Sequence, residues 1–325
     1  MILRSALFEL NQYVIDPDRE YTELGNYLNG AVIKIGPSSN TFINILDIRE
    51  ESLEENQKGY LSTKISKVLG FFNLIFGTID ENEKAILEQK IIQTYNQKGI
   101  TFNDKSLYKN KKFKTTKDMP ILHDLYNNLD GKMKIKLLPF IKGSMKYLNN
   151  YTNVELNNKL IIADIYELGE ENIKYGMFLF TELFWDKVKQ NRKVKKSIYL
   201  DEIWQLIGVT SNKEVASFIY KIFKTIRKYG GSAVAITQDV SDLFSLDGGI
   251  YGKSILNNSE FKAFFNLEEE NIKVLEKNSN ISNKEKIEIK SLRRGECVMF
   301  VGKEHILTKI ESSEFEKEIL GGEKN

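Results

Sequence analysis

Four short apolar stretches punctuate the chain, and each closes on a polar side chain. Residues 13–15, 160–163, 198–200 and 233–236 carry no charged or amide side chain. Such runs are the pattern of strands buried on both faces of a sheet. Between the last two, Val215, Ile219, Ile222, Phe223 and Ile226 recur at helical spacing, and Gly230-Gly231 supplies a C-terminal stop. A second, more apolar helix is predicted over residues 171–191. This alternation of strand and helix predicts an α/β fold with a parallel sheet.

Residues 56–150 follow another rule. They are rich in Lys, Asn and Tyr, with helical patterns over 61–76, 81–96, 121–129 and 132–147 and no convincing strand. The expected division is therefore 1–55 as the first part of an α/β core, 56–150 as an all-helical insertion, and 151–325 as the remainder of the core. Near the C-terminus, 297–301 and 305–309 read as strands. A last helix follows, with Ser312 or Ser313 as its N-cap and Glu316 in its first turn. Four prolines and no Gly/Ser tract leave no flexible linker, and no internal repeat is visible.

Composition narrows the picture. The 325 residues are 41% hydrophobic and 28% charged, which is globular and enough to bury a core. Lys+Arg 47 against Asp+Glu 45 leaves a net charge of +2, so the chain is no polycation and any basic patch is local. Only seven of the cations are Arg; the Lys/Asn/Ile bias reads as coding composition. Cys297 is the single cysteine, which excludes an internal disulfide and any multi-cysteine metal site. His123 and His305 are far apart in sequence, which argues against zinc. The longest apolar runs, 68–77 and 176–185, are about half of the ~18 residues that span a bilayer. The N-terminus has no basic n-region and no small-residue cleavage site. A cytoplasmic protein, docked peripherally at a membrane, is expected.

The four strands end on Asp16, Asp164, Asp201-Glu202 and Thr237-Gln238. In an open parallel sheet, ligands bind beyond the carboxyl ends of the strands, so one crevice would receive acids and an amide. A bland account exists, since polar residues commonly end strands. It suffices for any single strand, but the Asp-Glu pair with Thr-Gln on the next strand favours function. Ile198-Tyr199-Leu200-Asp201-Glu202 has the form of a Walker B segment. Asp201 at such a position holds Mg²⁺ through water, and Glu202 orients or deprotonates the attacking water. Gln238 is placed to contact the γ-phosphate or that water. Arg227 and Lys228 can neutralise phosphate charge, Arg227 as a finger on an adjacent subunit. Taken alone, the pair reads rather as cations in the last turn of a helix, where the dipole favours them.

At these residues the sequence resembles the VirB-four/TraC-like cytoplasmic traffic ATPases of type IV secretion and conjugation, within the FtsK/HerA superfamily. The resemblance is carried by Val14-Ile15-Asp16-Pro17-Asp18-Arg19-Glu20-Tyr21, by Ile43-Asn44-Ile45-Leu46-Asp47, and by the Walker B segment with Trp204. Arg227-Lys228-Tyr229-Gly230-Gly231, Ile236-Thr237-Gln238-Asp239 and Ile255-Leu256-Asn257-Asn258-Ser259 follow in family order. It implies a RecA-like P-loop NTPase core with a helical insertion, ATP and Mg²⁺ as cofactors, and a homo-hexameric ring. Its partners would be channel components at the inner face of the membrane, with DNA or protein as cargo. Glu20 and Tyr21 would lie near the nucleotide, or serve only the turn; Trp204 would pack beside the Walker B strand.

The sequence departs from the family in one respect. The phosphate loop GxxxxGK[ST] is absent. The nearest match, Gly248-Gly249-Ile250-Tyr251-Gly252-Lys253-Ser254, is one residue short, has Asp247 where the first Gly belongs and follows no apolar strand. It reads as a decoy. Residues 2–10 resemble the helix that follows the phosphate loop, so that loop and the first core strand are expected upstream of Met1. The expectation is a truncated ATPase with unpaired sheet edges, weakly active or inactive alone. Two alternatives stand: a DNA translocase or coupling protein of the same superfamily, and a non-catalytic ring or scaffold subunit. Lys109-Asn110-Lys111-Lys112-Phe113-Lys114 and residues 193–196 could contact phosphates. With no aromatic platform beside them they read as solvated loops.

Overall fold

A computed structural model describes residues 1–50, 59–77, 79–208 and 211–319. The expected boundary between residues 55 and 56 lies outside them. The chain divides into two compact units, Met1–Leu200 with Arg227–Val234, and Asp201–Ile226 with Ala235–Asn325.

The first unit is built on a five-stranded sheet. It opens with α1 (Ile2–Ala6), β1 (Asn11–Asp16), α2 (Thr22–Tyr27) and β2 (Ala31–Lys34). The helical stretch follows: α3 (Tyr60–Phe76), α4 (Glu81–Gln97), the two-residue strands β3 (Tyr108–Lys109) and β4 (Lys112–Phe113), α5 (Leu122–Asn128) and α6 (Gly131–Lys142). Then come β5 (Leu160–Asp164), α7 (Ile173–Lys189), β6 (Lys196–Leu200) and β7 (Gly231–Ala235). Strand order is β2-β5-β1-β6-β7. β2 with β5, β5 with β1, and β1 with β6 are parallel pairs, with Asp16 opposite Asp164 and Ile15 opposite Leu200. Parallel neighbours need crossovers, and α7 supplies the one between β5 and β6. β1, β5 and β6 are buried almost throughout, as their apolar runs predict. β7 is not: none of its residues is fully buried. It is the outermost strand, with a neighbour on one side only, and its Gly, Ser and Ala side chains are too small to draw a layer over themselves.

The stretch between β2 and β5 contains the expected helices. α6 stops at Lys142, short of the expected 147, where Gly143 breaks the pattern and Lys146–Leu148 form a separate 3₁₀ turn. α3 is anchored to α7 by a buried ionic cluster. Glu182 accepts from Lys64 (2.9 Å), Lys67 (3.1 Å) and Arg49 (3.1 Å), and Asp186 accepts from Arg49 (2.8 Å) and Lys67 (3.1 Å), with Lys189 at 3.2 Å. Burial acts to raise the Glu182 carboxyl, but Lys64, Lys67 and Arg49 outweigh it and hold it well below the usual range. The expected absence of strands fails at β3–β4, a hairpin whose turn residues Asn110 (φ 52°) and Lys111 (φ 65°) are both left-handed. There Tyr108 meets Phe113 edge-on, 5.5 Å between ring centroids. An aromatic pair therefore does accompany Lys109, Lys111 and Lys112, all three exposed. Lys196, expected in a solvated loop, is buried in β6 and donates to the Val188 carbonyl at 3.1 Å.

The second unit contains α8 (Trp204–Ile207), α9 (Lys213–Thr225), α10 (Val240–Leu243), α11 (Ile250–Asn258), β8 (Phe261–Phe264), α12 (Glu269–Asn278), α13 (Asn283–Ser291), β9 (Glu296–Val301), β10 (Glu304–Lys309) and α14 (Glu314–Ile319). The strands form an antiparallel sheet in the order β10-β9-β8. Val298 and Phe300 face a core with Ile272, Leu275, Ile289 and Leu292. Cys297 is buried in β9, as its apolar neighbours predict. Ser313 caps α14: its hydroxyl accepts from Glu316 N–H (3.2 Å), and Glu316 accepts in return from Ser313 N–H (2.9 Å).

Candidate functional site

In the first unit the chain brings together Asp16, Glu20 and Asp164. Asp16 ends β1 fully buried, and its two carboxylate oxygens accept from the backbone N–H groups of Glu20 and Tyr21, both at 3.0 Å. Burial raises its carboxyl, and those N–H bonds only partly offset the effect. Asp164, beside it in register, accepts from Arg19 Nε at 2.7 Å and from Tyr166 N–H at 3.2 Å. Arg19 also reaches Glu167 at 3.3 Å, and Glu167 accepts from Ser38 Oγ. The Arg19 guanidinium lies 5.0 Å from the centroid of the Tyr166 ring. Both buried acids are thus engaged by protein groups that shape the loops after β1, β2 and β5. Glu20 is exposed, with its backbone rather than its carboxylate in the turn. Arg19 lies inside the quoted motif, yet nothing local in the sequence shows its long-range pairing with Asp164.

Arg227 and Lys228 sit in the 3₁₀ turn Ile226–Tyr229 that prolongs α9, and both are exposed. Their Tyr229 neighbour is fixed edge-on against Trp185 at 5.3 Å. Gly230 then turns left-handed, φ 70°, with its N–H on the Arg227 carbonyl. A Cβ there would meet the Arg192 carbonyl at 2.6 Å, so only glycine fits.

The second unit holds Asp201, Glu202, Thr237 and Gln238. Asp201 follows β6 directly and is buried; its Oδ1 accepts from the Glu202 N–H at 3.0 Å. Glu202 has φ 48°, in the left-handed region. Ile203 is fully buried, and its N–H donates to the Ile236 carbonyl at 3.1 Å. That single bond ties the Asp201-Glu202 turn to the segment carrying Thr237 and Gln238. Trp204 does more than pack: its indole N–H donates to Glu202 Oε2. Thr237 Oγ1 donates to the Asp239 carbonyl (3.0 Å) and accepts from its N–H (3.2 Å), so its hydroxyl serves the loop. Gln238 is exposed at the tip.

Among the described residues no group of three His, Cys, Asp or Glu could hold a metal ion by itself. One buried carboxylate beside a second acid suits Mg²⁺, which keeps several waters and shares phosphate oxygens. The segment at 248–254 spans the end of a 3₁₀ turn (Leu246–Gly249) and the start of α11, with no strand before it. A Cβ at Gly252 would meet the Leu243 carbonyl at 2.2 Å, so this glycine serves close packing within the unit.

Residues 61–314 match the TraG P-loop domain family. The chain is similar to the solved structure of VirB4 of Thermoanaerobacter pseudethanolicus, with 25% identity and a TM-score of 0.87, over 97% of this chain and 85% of that one. It shares its fold with the bacterial conjugative coupling protein TrwB in unbound form, at 11% identity and TM-score 0.60 over 95% of this chain and 80% of that one. The plasmid coupling protein TrwB in complex with a non-hydrolysable ATP analogue gives 11% and 0.55 over 95% and 78%. No curated protein sequence matches the chain. The parallel sheet flanked by helices is the RecA-like P-loop NTPase fold of these structures.

Proposed function

The chain belongs to the TraG P-loop domain family, and from that premise we propose that it is an ATPase subunit of a type IV secretion or conjugation system. The observation that carries this reading is the turn after β6. There Asp201 and Glu202 stand side by side, and Ile203 bonds the carbonyl just before Thr237-Gln238.

In this reading Asp201 would hold Mg²⁺ through water, and Glu202 would orient or deprotonate the attacking water. Bound magnesium supplies charge neutralisation at the β- and γ-phosphates. Gln238, exposed at the loop tip, contacts the γ-phosphate or the water. Arg227 and Lys228 are exposed and available to phosphate charge, Arg227 across a subunit boundary in a ring. Asp16, Glu20, Asp164 and Thr237 are further candidates for nucleotide contact, and the side chains of Asp16, Asp164 and Thr237 also hold their own loops through bonds to protein groups. Residues 56–150 form an insertion in this core. The ring docks at the cytoplasmic face of a membrane; no described helix is long and apolar enough to cross one.

The residues fit the magnesium-and-water side of the reaction. The 325 residues contain no GxxxxGK[ST], so turnover by this chain alone is expected to be slow. Steady-state hydrolysis of MgATP tests the reading: Glu202→Gln should lower the residual rate roughly 100-fold or more, the scale of general-base catalysis. A Glu202→Gln chain as active as the parent rejects it, and rapid turnover by the parent rejects the expectation of a weak enzyme.

A second reading, a DNA-handling motor, is favoured by the β3–β4 hairpin, where Lys109, Lys111 and Lys112 flank the Tyr108–Phe113 pair. Lysines set around rings are how proteins hold single strands. Binding of single-stranded DNA that weakens steeply with salt, and is lost in Lys111→Ala/Lys112→Ala, would support it; salt-independent or absent binding rejects it.

A further inference from the structure

The geometry points to Trp204 as the residue that positions Glu202, an inference resting on the hydrolytic reading of Glu202. The backbone around Glu202 is pinned on three sides. Its N–H donates to Asp201 Oδ1 at 3.0 Å, its carbonyl accepts from Gln205 N–H at 3.0 Å, and the next residue, Ile203, is buried and bonded to Ile236. The left-handed φ of 48° at Glu202 is unfavourable for a residue with a side chain and persists only where surroundings impose it. With the backbone fixed, the side-chain torsions decide where the carboxylate points.

Trp204 settles those torsions. Its indole N–H donates to Glu202 Oε2. An indole is a donor only, so it can engage the carboxylate in one sense, and the bond is charge-assisted. The ring has two torsions and is half-buried, which makes it a stiffer donor than a lysine or an amide would be. Its own backbone is held as well. Trp204 opens α8, and its carbonyl accepts from Gly208 N–H at 2.6 Å; a Cβ at Gly208 would sit 2.6 Å from that same oxygen. Glycine at 208 thus lets the short helix close against Trp204. The strained turn aims Glu202, the indole fixes the aim, and Gly208 holds the Trp204 backbone.

Trp204→Phe keeps a ring and removes the donor. Its expected effect on MgATP hydrolysis is a roughly 10- to 100-fold fall in kcat, the scale of a misplaced reacting group. KM should stay within about twofold, since a group acting in the chemical step moves kcat alone. The melting temperature should stay within about 3 °C, which separates positioning from packing. Trp204→His, which restores a ring N–H, should recover part of the rate. A Trp204→Phe chain with unchanged kcat, measured where Glu202→Gln is inactive, overturns the inference and leaves the hydrolytic reading standing. If Glu202→Gln and the parent turn over at the same measurable rate, the hydrolytic reading fails instead. The hydrogen bond is then judged by nuclear magnetic resonance on the full chain. The Trp204 indole N–H signal, assigned by its loss in Trp204→Phe, should move upfield in Glu202→Gln; an unmoved signal means that the indole does not hold the carboxylate, and the inference falls.

Discussion

Arg19 carries a left-handed backbone (φ 61°) and two carboxylate contacts at once. The strain is tolerated because its side chain is the nearer of two cations facing a buried acid: the Asp164 carboxylate is fully buried, Arg19 Nε lies 2.7 Å away and Lys34 Nζ 4.0 Å away. Removing one partner of a buried pair leaves an uncompensated charge, which costs about 3–5 kcal/mol when both are sequestered. Arg19 is 32% exposed, so water screens part of the loss and relief of the left-handed strain returns little in Ala. Arg19→Ala should therefore lower stability by roughly 1–2 kcal/mol, read as a lower urea midpoint with unchanged slope. Arg19→Lys should recover only part, because one ammonium cannot bridge Asp164 and Glu167 together. None of this is legible locally. The sequence shows Asp16 and Arg19 three residues apart, whereas the partner that matters lies 145 positions away. Trp204 is similar: its closeness to Glu202 is plain in the sequence, but the inward aim of its indole depends on a left-handed residue that side-chain identity alone does not announce.

At the scale of elements, α7 shows how an almost wholly buried helix can carry charge. Glu182 and Asp186, one turn apart, both face α3. Burial acts to raise both carboxyls, yet the surrounding cations win and both ionise below the usual range. A carboxyl whose folded pKa is depressed contributes stability that is present above its unfolded pKa, near 4, and is lost as pH falls through the folded value. Asp47, raised by burial, works in the opposite sense and regains some stability as it protonates. The cluster should hence hold from neutrality down to about pH 4 and fail below it, with Asp47 softening the fall. Glu182→Gln should cost roughly 3–5 kcal/mol at pH 7, by stranding Lys64, and much less at pH 3; thermal melts at the two values check it. The elements themselves were largely legible. Periodicity found β1, β5, β6, β9, β10 and the principal helices to within a few residues, because their apolar faces repeat. It missed β2 and β8, four residues each with a single buried residue between them, where local hydropathy is too weak to distinguish strand from loop. It also predicted burial for β7 that an outermost strand of small residues does not reach.

For the whole molecule, the path of the chain matters more than the number of units. It leaves the first unit after Leu200, returns for Arg227–Val234, and leaves again. β7 therefore belongs to a sheet whose other four strands are complete by residue 200. A fragment of residues 1–200 would contain β2, β5, β1 and β6 but expose the edge of β6, five residues buried in the intact chain. Such an edge invites strand pairing between molecules. The fragment should elute as aggregate in size-exclusion chromatography, while the intact chain does not; a well-behaved monomeric fragment would mean that β7 is dispensable. This interleaving could not be read from hydropathy, which treats neighbouring residues as neighbours in space.

The buried Cys297 has a practical consequence. It is the chain's single thiol, its side chain is closed off inside β9, and burial pushes the thiol up, away from the reactive thiolate. The native protein therefore behaves toward maleimides as if it contained no cysteine. A cysteine introduced at Gln238 or at Lys111, both exposed, would be the one site to take a fluorophore or a spin label. Distances and motions at the loop tip or the hairpin could then be followed in an otherwise unaltered protein.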